Sequence, residues 1–366
     1  MIGQKQSKAG YNTKALSRRG SRAITSTGAA PSSSCLTKIR NRASSFCVDC
    51  QSHLYAPEMI GFMKTRKSPP YAYEKGSDTY VAVGKWHRRL RKNHPNPKAK
   101  LTAMDTAGID MTALSINDPG PERFGKDGSK VARMANDFIA SVVREYPGRF
   151  FGLAFLPMQD MKAAQLELER CVEKLRMKGI FLYSNICGEF PDEPKYRSIF
   201  KWAEELDLPI VMHPAYPVTY EQTKEYQLTA GLGLMFDTSI ALARIILAGI
   251  LERHPRLRLV CPHVGGTLPY LVGRLDHQTH VLKRGADNIK KPPSEYLKQV
   301  YFDTVSPSSL AIKYCYDLVG PGRMLYGSDH PWVQPTLIAR HIKQLHLPAD
   351  DEGRIFGENA TGLFKL

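Results

Sequence analysis

The sequence predicts an α/β chain folded as a (β/α)8 barrel of the TIM type, with a small insertion after strand 1 and a disordered basic N-terminal arm. Three observations predict it. Eight short apolar runs alternate with helix-like stretches from residue 46 onward. That span of about 300 residues is the usual size of a closed barrel. Several of the runs are followed at once by a histidine or an aspartate.

The candidate strands are Phe46–Val48, Met111–Ile116, Phe151–Phe155, Gly179–Tyr183, Pro209–Met212, Leu257–Cys261, Val300–Phe302 and Arg323–Tyr326. Their residues are continuously apolar, as in a parallel sheet buried on both faces. Helical patterns separate them, clearest at Met161–Leu175, Ser198–Leu206, Ile240–His254 and Leu310–Leu318.

Residues 62–100 break the rhythm with Pro69-Pro70, Tyr71, Tyr73, Tyr80 and a basic cluster from Lys85 to Lys92. The stretch is too long for a βα loop and too aromatic for a linker. It is expected to form a hairpin-bearing cap over the barrel mouth. Within it Arg88 or Arg89 is a candidate to turn inward and clamp a substrate carboxylate.

The 366-residue chain carries a net charge of +16, unevenly spread. Residues 1–46 hold nine Lys or Arg and no acid, which leaves 42 basic against 35 acidic residues elsewhere, a net of +7. Such a mild excess suits a small anionic carboxylate substrate and does not call for nucleic acid. The arm, residues 1–45, is rich in Ser, Thr, Ala and Gly without apolar periodicity, so it reads as disordered. It is either a targeting peptide or an extension from an upstream start, and residues 46–366 form the barrel. The longest apolar run, Ile240 to Leu251, is interrupted by Arg244 and is too short to span a bilayer. Seven cysteines, an odd number scattered through apolar segments, suit a reducing compartment. Cys47-Val-Asp-Cys50 has metal or redox spacing, but without a second pair both read as small strand residues. The chain is therefore expected in the cytoplasm, or in mitochondria if the arm is a transit peptide.

The chemistry lies where strands end. Strand 1 runs into Gln51-Ser52-His53, strand 5 into His213-Pro214, strand 6 into His263-Val264-Gly265-Gly266, and strand 8 into Gly327-Ser328-Asp329-His330. In a barrel these C-terminal ends converge on one pocket. Imidazole and carboxylate groups gathered there suit Zn2+ or another divalent ion such as Mn2+ or Mg2+. Gln51 and His53 lie two apart on an extended segment and share a face, so both are candidate ligands with His213 and Asp329. His263 reads as a general acid or base, beside a glycine pair that would let a ligand approach the backbone.

These segments resemble the amidohydrolase-related family that includes aminocarboxymuconate semialdehyde, resorcylate and carboxyvanillate decarboxylases, some lactone hydrolases and hydratases. The similarity runs from about Val48 to Leu366. It includes Ala103 to Met111, Tyr146-Pro147-Gly148-Arg149-Phe150, Leu156-Pro157-Met158-Gln159-Asp160, the strand-end motifs above and Phe356-Gly357-Glu358-Asn359-Ala360. The resemblance implies that His53 is the second histidine of an HxH or ExH metal motif. It implies His213 and Asp329 as metal ligands, His263 and Asp329 as catalytic groups, and a homodimer. Gln51 departs from the pattern, standing where the family has His or Glu. The implied activity is a nonoxidative decarboxylation of an aromatic or unsaturated carboxylic acid. Hydrolysis of a lactone, ester or amide needs the same ligands, and a barrel that has lost its metal would serve as a binding protein.

Overall fold

The structure is a computed structural model that describes residues 46–366; the basic arm lies outside the described residues. Among the described residues twelve strands form, of which β1 (Val48–Asp49) and β2 (His53–Leu54) are two pieces of the first barrel strand. The insertion supplies β3 (Tyr71–Lys75), β4 (Asp78–Val83) and β5 (Trp86–Leu90). The other barrel strands are β6 (Met111–Ile116), β7 (Phe150–Phe155), β8 (Gly179–Tyr183), β9 (Ile210–His213), β10 (Leu259–Cys261), β11 (Tyr301–Asp303) and β12 (Met324–Leu325).

All barrel pairings are parallel and run in chain order from β1 to β12. The seam between first and last strands is closed by Cys50 N–H donating to Tyr326 O at 2.9 Å, Asp329 N–H to Gln51 O at 2.9 Å and His53 N–H to His330 O at 2.8 Å. Register sets the site: His53 lies opposite Ser115 on β6, and His213 opposite Tyr183 on β8.

The strands form because their residues are apolar on both faces; every residue of β7 and β8 is buried. Each fully buried Phe or Leu contributes ~1.5–3 kcal/mol relative to exposure. The surrounding helices start where capping residues allow. Asp160 accepts from Ala163 N–H at 3.0 Å, and Asn96, followed by Pro97, accepts from Lys98 N–H at 3.0 Å.

The helix expected over Ile240–His254 begins earlier, at Leu234, and breaks after Leu247. The break follows from Gly249, whose left-handed φ of +69° places its α-carbon against Asn288, leaving no room for a β-carbon. With the preceding π turn it forms the segment Thr229–Leu247, long and apolar enough to cross a membrane. Its Ala241, Leu242, Ile245 and Ile246 pack into the barrel core.

Residues 71–90 form a three-stranded antiparallel sheet joined by two-residue turns with left-handed Gly76 and Gly84. Gly84 also sits so close to the Tyr216 ring that a side chain would collide with it. That contact joins the insertion to the loop after β9.

Candidate active site

His53 Nε2 lies 3.0 Å from Asp329 Oδ1, while its Nδ1 is 2.7 Å from Ser115 Oγ. His213 Nδ1 donates to Pro214 O at 2.8 Å, which leaves Nε2 to face Asp329 Oδ1 at 3.6 Å. His263 Nε2 faces the other oxygen, Asp329 Oδ2, at 3.7 Å. One carboxylate thus gathers three imidazoles from three strand ends. The donor atoms of His53, His213 and Asp329 all lie within 4.8 Å of one another. His213 Nε2 and both side-chain polar atoms of the buried Gln51 have no hydrogen-bond partner. Buried polar atoms left this way are costly, so the cluster has the character of a ligand shell. Two imidazole nitrogens and a carboxylate fit a divalent ion.

The local charges separate the three histidines. Burial, helped by neighbouring His213, pushes His53 down to about 3. Burial lowers His213 as well. Burial opposes protonation of His263 too, but the Asp329 carboxylate outweighs it and raises that group above the ordinary imidazole value. Against its own burial, Asp329 is held well below the usual carboxylate range by the three imidazoles that face it.

Backbone strain marks the same places. Asp329, His263 and Val264 have φ of +58°, +56° and +49°. Non-glycine residues there are uncommon, and a β-branched one is a genuine outlier. Asp303, at the end of β11, holds the strained loop by accepting from His263 N–H at 2.7 Å and Val305 N–H at 3.0 Å. Gly266 of the Gly265-Gly266 pair lines the cavity, and close packing also bears on both glycines. A β-carbon on Gly265 would strike Phe302 and Pro269, and one on Gly266 would strike Met235 O and Ser239. Both also adopt left-handed φ, +80° and +65°.

Behind the cluster, the buried ammonium of Lys100 donates to Ser52 Oγ, to His330 Nδ1 at 2.9 Å and to His330 O at 3.0 Å. Ser328 Oγ donates to Asp49 Oδ2 at 2.5 Å, tying strand 8 to strand 1.

In β5 the period of two decides between the arginines: Trp86, Arg88 and Leu90 face inward while His87 and Arg89 face outward. Arg88 donates to Asn117 Oδ1 at 2.8 Å and to the carbonyl and carboxylate of Asp118, and lies over the rings of Trp86 at 4.8 Å and Trp332 at 5.8 Å. Arg89, more exposed, pairs with Asp78 at 3.1 Å and also lines the cavity. The cavity spans about 830 Å3 and runs from His213, His263 and Asp329 out past Trp86 and Trp332.

Ser115, Lys100, Asp303 and Trp332 were not among the residues singled out from the sequence. Asp303 carried a usable signal, because it follows an apolar strand as the others do. Lys100 carried none, since it sits on a helix among surface-like lysines.

A family profile described as Amidohydrolase matches residues 48–366. The chain is 30% identical over 262 residues to 2-amino-3-carboxymuconate-6-semialdehyde decarboxylase of Dictyostelium discoideum, covering 70% of this chain and 72% of that one. It is 29% identical over 285 residues to gamma-resorcylate decarboxylase of Rhizobium radiobacter, covering 73% and 86%. Among solved structures, 5-carboxyvanillate decarboxylase of Novosphingobium aromaticivorans DSM 12444 matches with a TM-score of 0.76 at 25% identity, over 90% of this chain and 99% of that one. That structure is complexed with manganese and 4-hydroxy-3-methoxy-5-nitrobenzoic acid.

Proposed function

The chain belongs to the amidohydrolase family, and on that premise we propose that it is a metal-dependent, nonoxidative decarboxylase of an aromatic carboxylic acid. The observation that carries the reading is the convergence of His53, His213 and Asp329 at the strand ends, with the polar atoms of Gln51 buried and unpartnered beside them in sequence. We assign the metal to His53, His213, Asp329 and the Gln51 amide oxygen. Zn2+ suits the two imidazoles, and Mn2+ is the ion bound in the solved relative. When bound, such an ion supplies Lewis-acid polarisation of the substrate carboxylate and a neighbouring oxygen.

The protein's own groups do the rest. As the bond to the carboxyl carbon breaks, CO2 leaves and the ring carbon keeps the electron pair, so it must take up one proton. His263, with its affinity for protons raised and its Nε2 facing the pocket's carboxylate, holds that proton in this reading. Asp329 stays ionised and fixes the three imidazoles in register. Arg88, held by Asn117 and Asp118, lends positive charge to the wall along which an anionic acid enters.

The test is to incubate metal-loaded protein with ortho-hydroxylated aromatic acids and with lactones of similar size. The reading expects one CO2 per ring product, lost on chelation and restored by Mn2+ or Zn2+. Lactone opening with no CO2 from any acid would contradict it and assign a hydrolase instead.

A further inference from the structure

The cavity is larger than a single ring needs. At about 830 Å3 it lies in the upper part of the ~300–1,000 Å3 range of cavities that enclose drug-sized ligands. A hydroxybenzoate of about ten heavy atoms is well below that size class. The reactive groups, His213, His263 and Asp329, make up only a small part of its lining. Leu234, Met235, Val305, Ala311, Trp332 and Val333 form an apolar arm of its wall, beside which Arg88, Arg89, Arg91 and His94 also line the cavity. Gly231, an exposed residue of the π turn, also lines the cavity. Its backbone needs no glycine, and a β-carbon there would meet nothing within 4 Å.

We propose that this arm receives a second ring, so that the substrate is a two-ring aromatic carboxylic acid. The proposal rests on the decarboxylase reading above and names its substrate class. An apolar arm continuous with the reactive end gains by excluding water from an apolar extension of the same molecule. A fused ring fills it at less cost in conformational freedom than a flexible chain.

The experiment compares 2-hydroxybenzoate with 3-hydroxy-2-naphthoate, which carry the same hydroxy-carboxylate head and differ by one fused ring. Binding to metal-loaded wild type is measured by calorimetry, and turnover by CO2 release. Four further buried carbons predict roughly 10- to 100-fold tighter binding of the naphthoate. Gly231→Phe, which fills the arm from the π turn, should cut that preference about tenfold or more. Ala311→Phe, from the helix Ser309–Val319, reads the same ratio should the first variant not fold. Equal binding of the two acids by wild type overturns the proposal, as does a preference unchanged in both variants. If neither acid binds or releases CO2 in metal-loaded protein, the decarboxylase reading falls, and the proposal with it.

Discussion

The inner end of the cavity is made by strand termini and the outer end by connections. At the inner end His53, His213, His263 and Asp329 stand on or just after β2, β9, β10 and β12, and their positions follow from strand register. Each is further held by a hydrogen bond or by strained backbone that its neighbours maintain. At the outer end the walls come from the insertion, the π turn at Thr229–Gly233 and the residues after β11. Rigid strand ends suit chemistry that tolerates little misplacement, and connections suit a wall whose shape sets the substrate. Loss of function is therefore expected to be steep for inner residues and substrate-dependent for outer ones.

The largest effect should come from Asp329→Ala. It removes the carboxylate that all three imidazoles face, and turnover should fall by well over the ~100-fold expected from losing a supporting contact. Measurable activity within tenfold of wild type would break the inner–outer distinction. His263→Ala should cost about 10²–10⁴-fold in kcat while bound metal stays at the wild-type level. Metal loss in that variant would move His263 from proton handling to ligation.

Gln51 sharpens the comparison, because it lies at the inner end yet departs from the family's motif. As a ligand it would be neutral, and Gln51→Glu should tighten metal binding and favour harder ions, whereas Gln51→Ala should weaken it. Metal titrations that give one affinity for all three proteins would reduce the shell to His53, His213 and Asp329.

The smallest effect concerns Glu122, in the segment Pro121–Asp127 after β6. Burial raises its carboxyl from 4.5 to about 7, against the pull of Arg123, and neither oxygen has a hydrogen-bond partner. The folded state therefore holds this proton more tightly than the unfolded chain. The stability it contributes is fully present below pH 4.5 and is lost as pH rises toward 7. Glu122→Gln removes the titration and should raise Tm by roughly 2–4 °C at pH 8, with no gain at pH 4.5. Thermal melts at the two pH values check this, and an equal gain at both would point to packing instead.

The sequence was most readable where the physics is local. All eight barrel strands stand where apolar runs stood, and the inner residues were legible because each follows such a run. Asp303 followed the same rule and was passed over. The start of the helix at Leu234 and its break at Gly249 were not legible, since both depend on what packs against them. Lys100 is buried only because its helix docks beneath Ser52 and His330. The choice between Arg88 and Arg89 required the strand period of the insertion, which its basic composition masked. The close packing around the glycine pair after His263 is visible only in three dimensions, while Gly266 does line the cavity.

The central claim is that the strand ends hold one divalent ion. It is tested most directly by elemental analysis of wild type and His213→Ala after identical loading and desalting. The account predicts about one equivalent of Zn2+ or Mn2+ per chain in wild type and almost none in the variant. Equal metal in the two proteins, or none in a folded wild type, would contradict it.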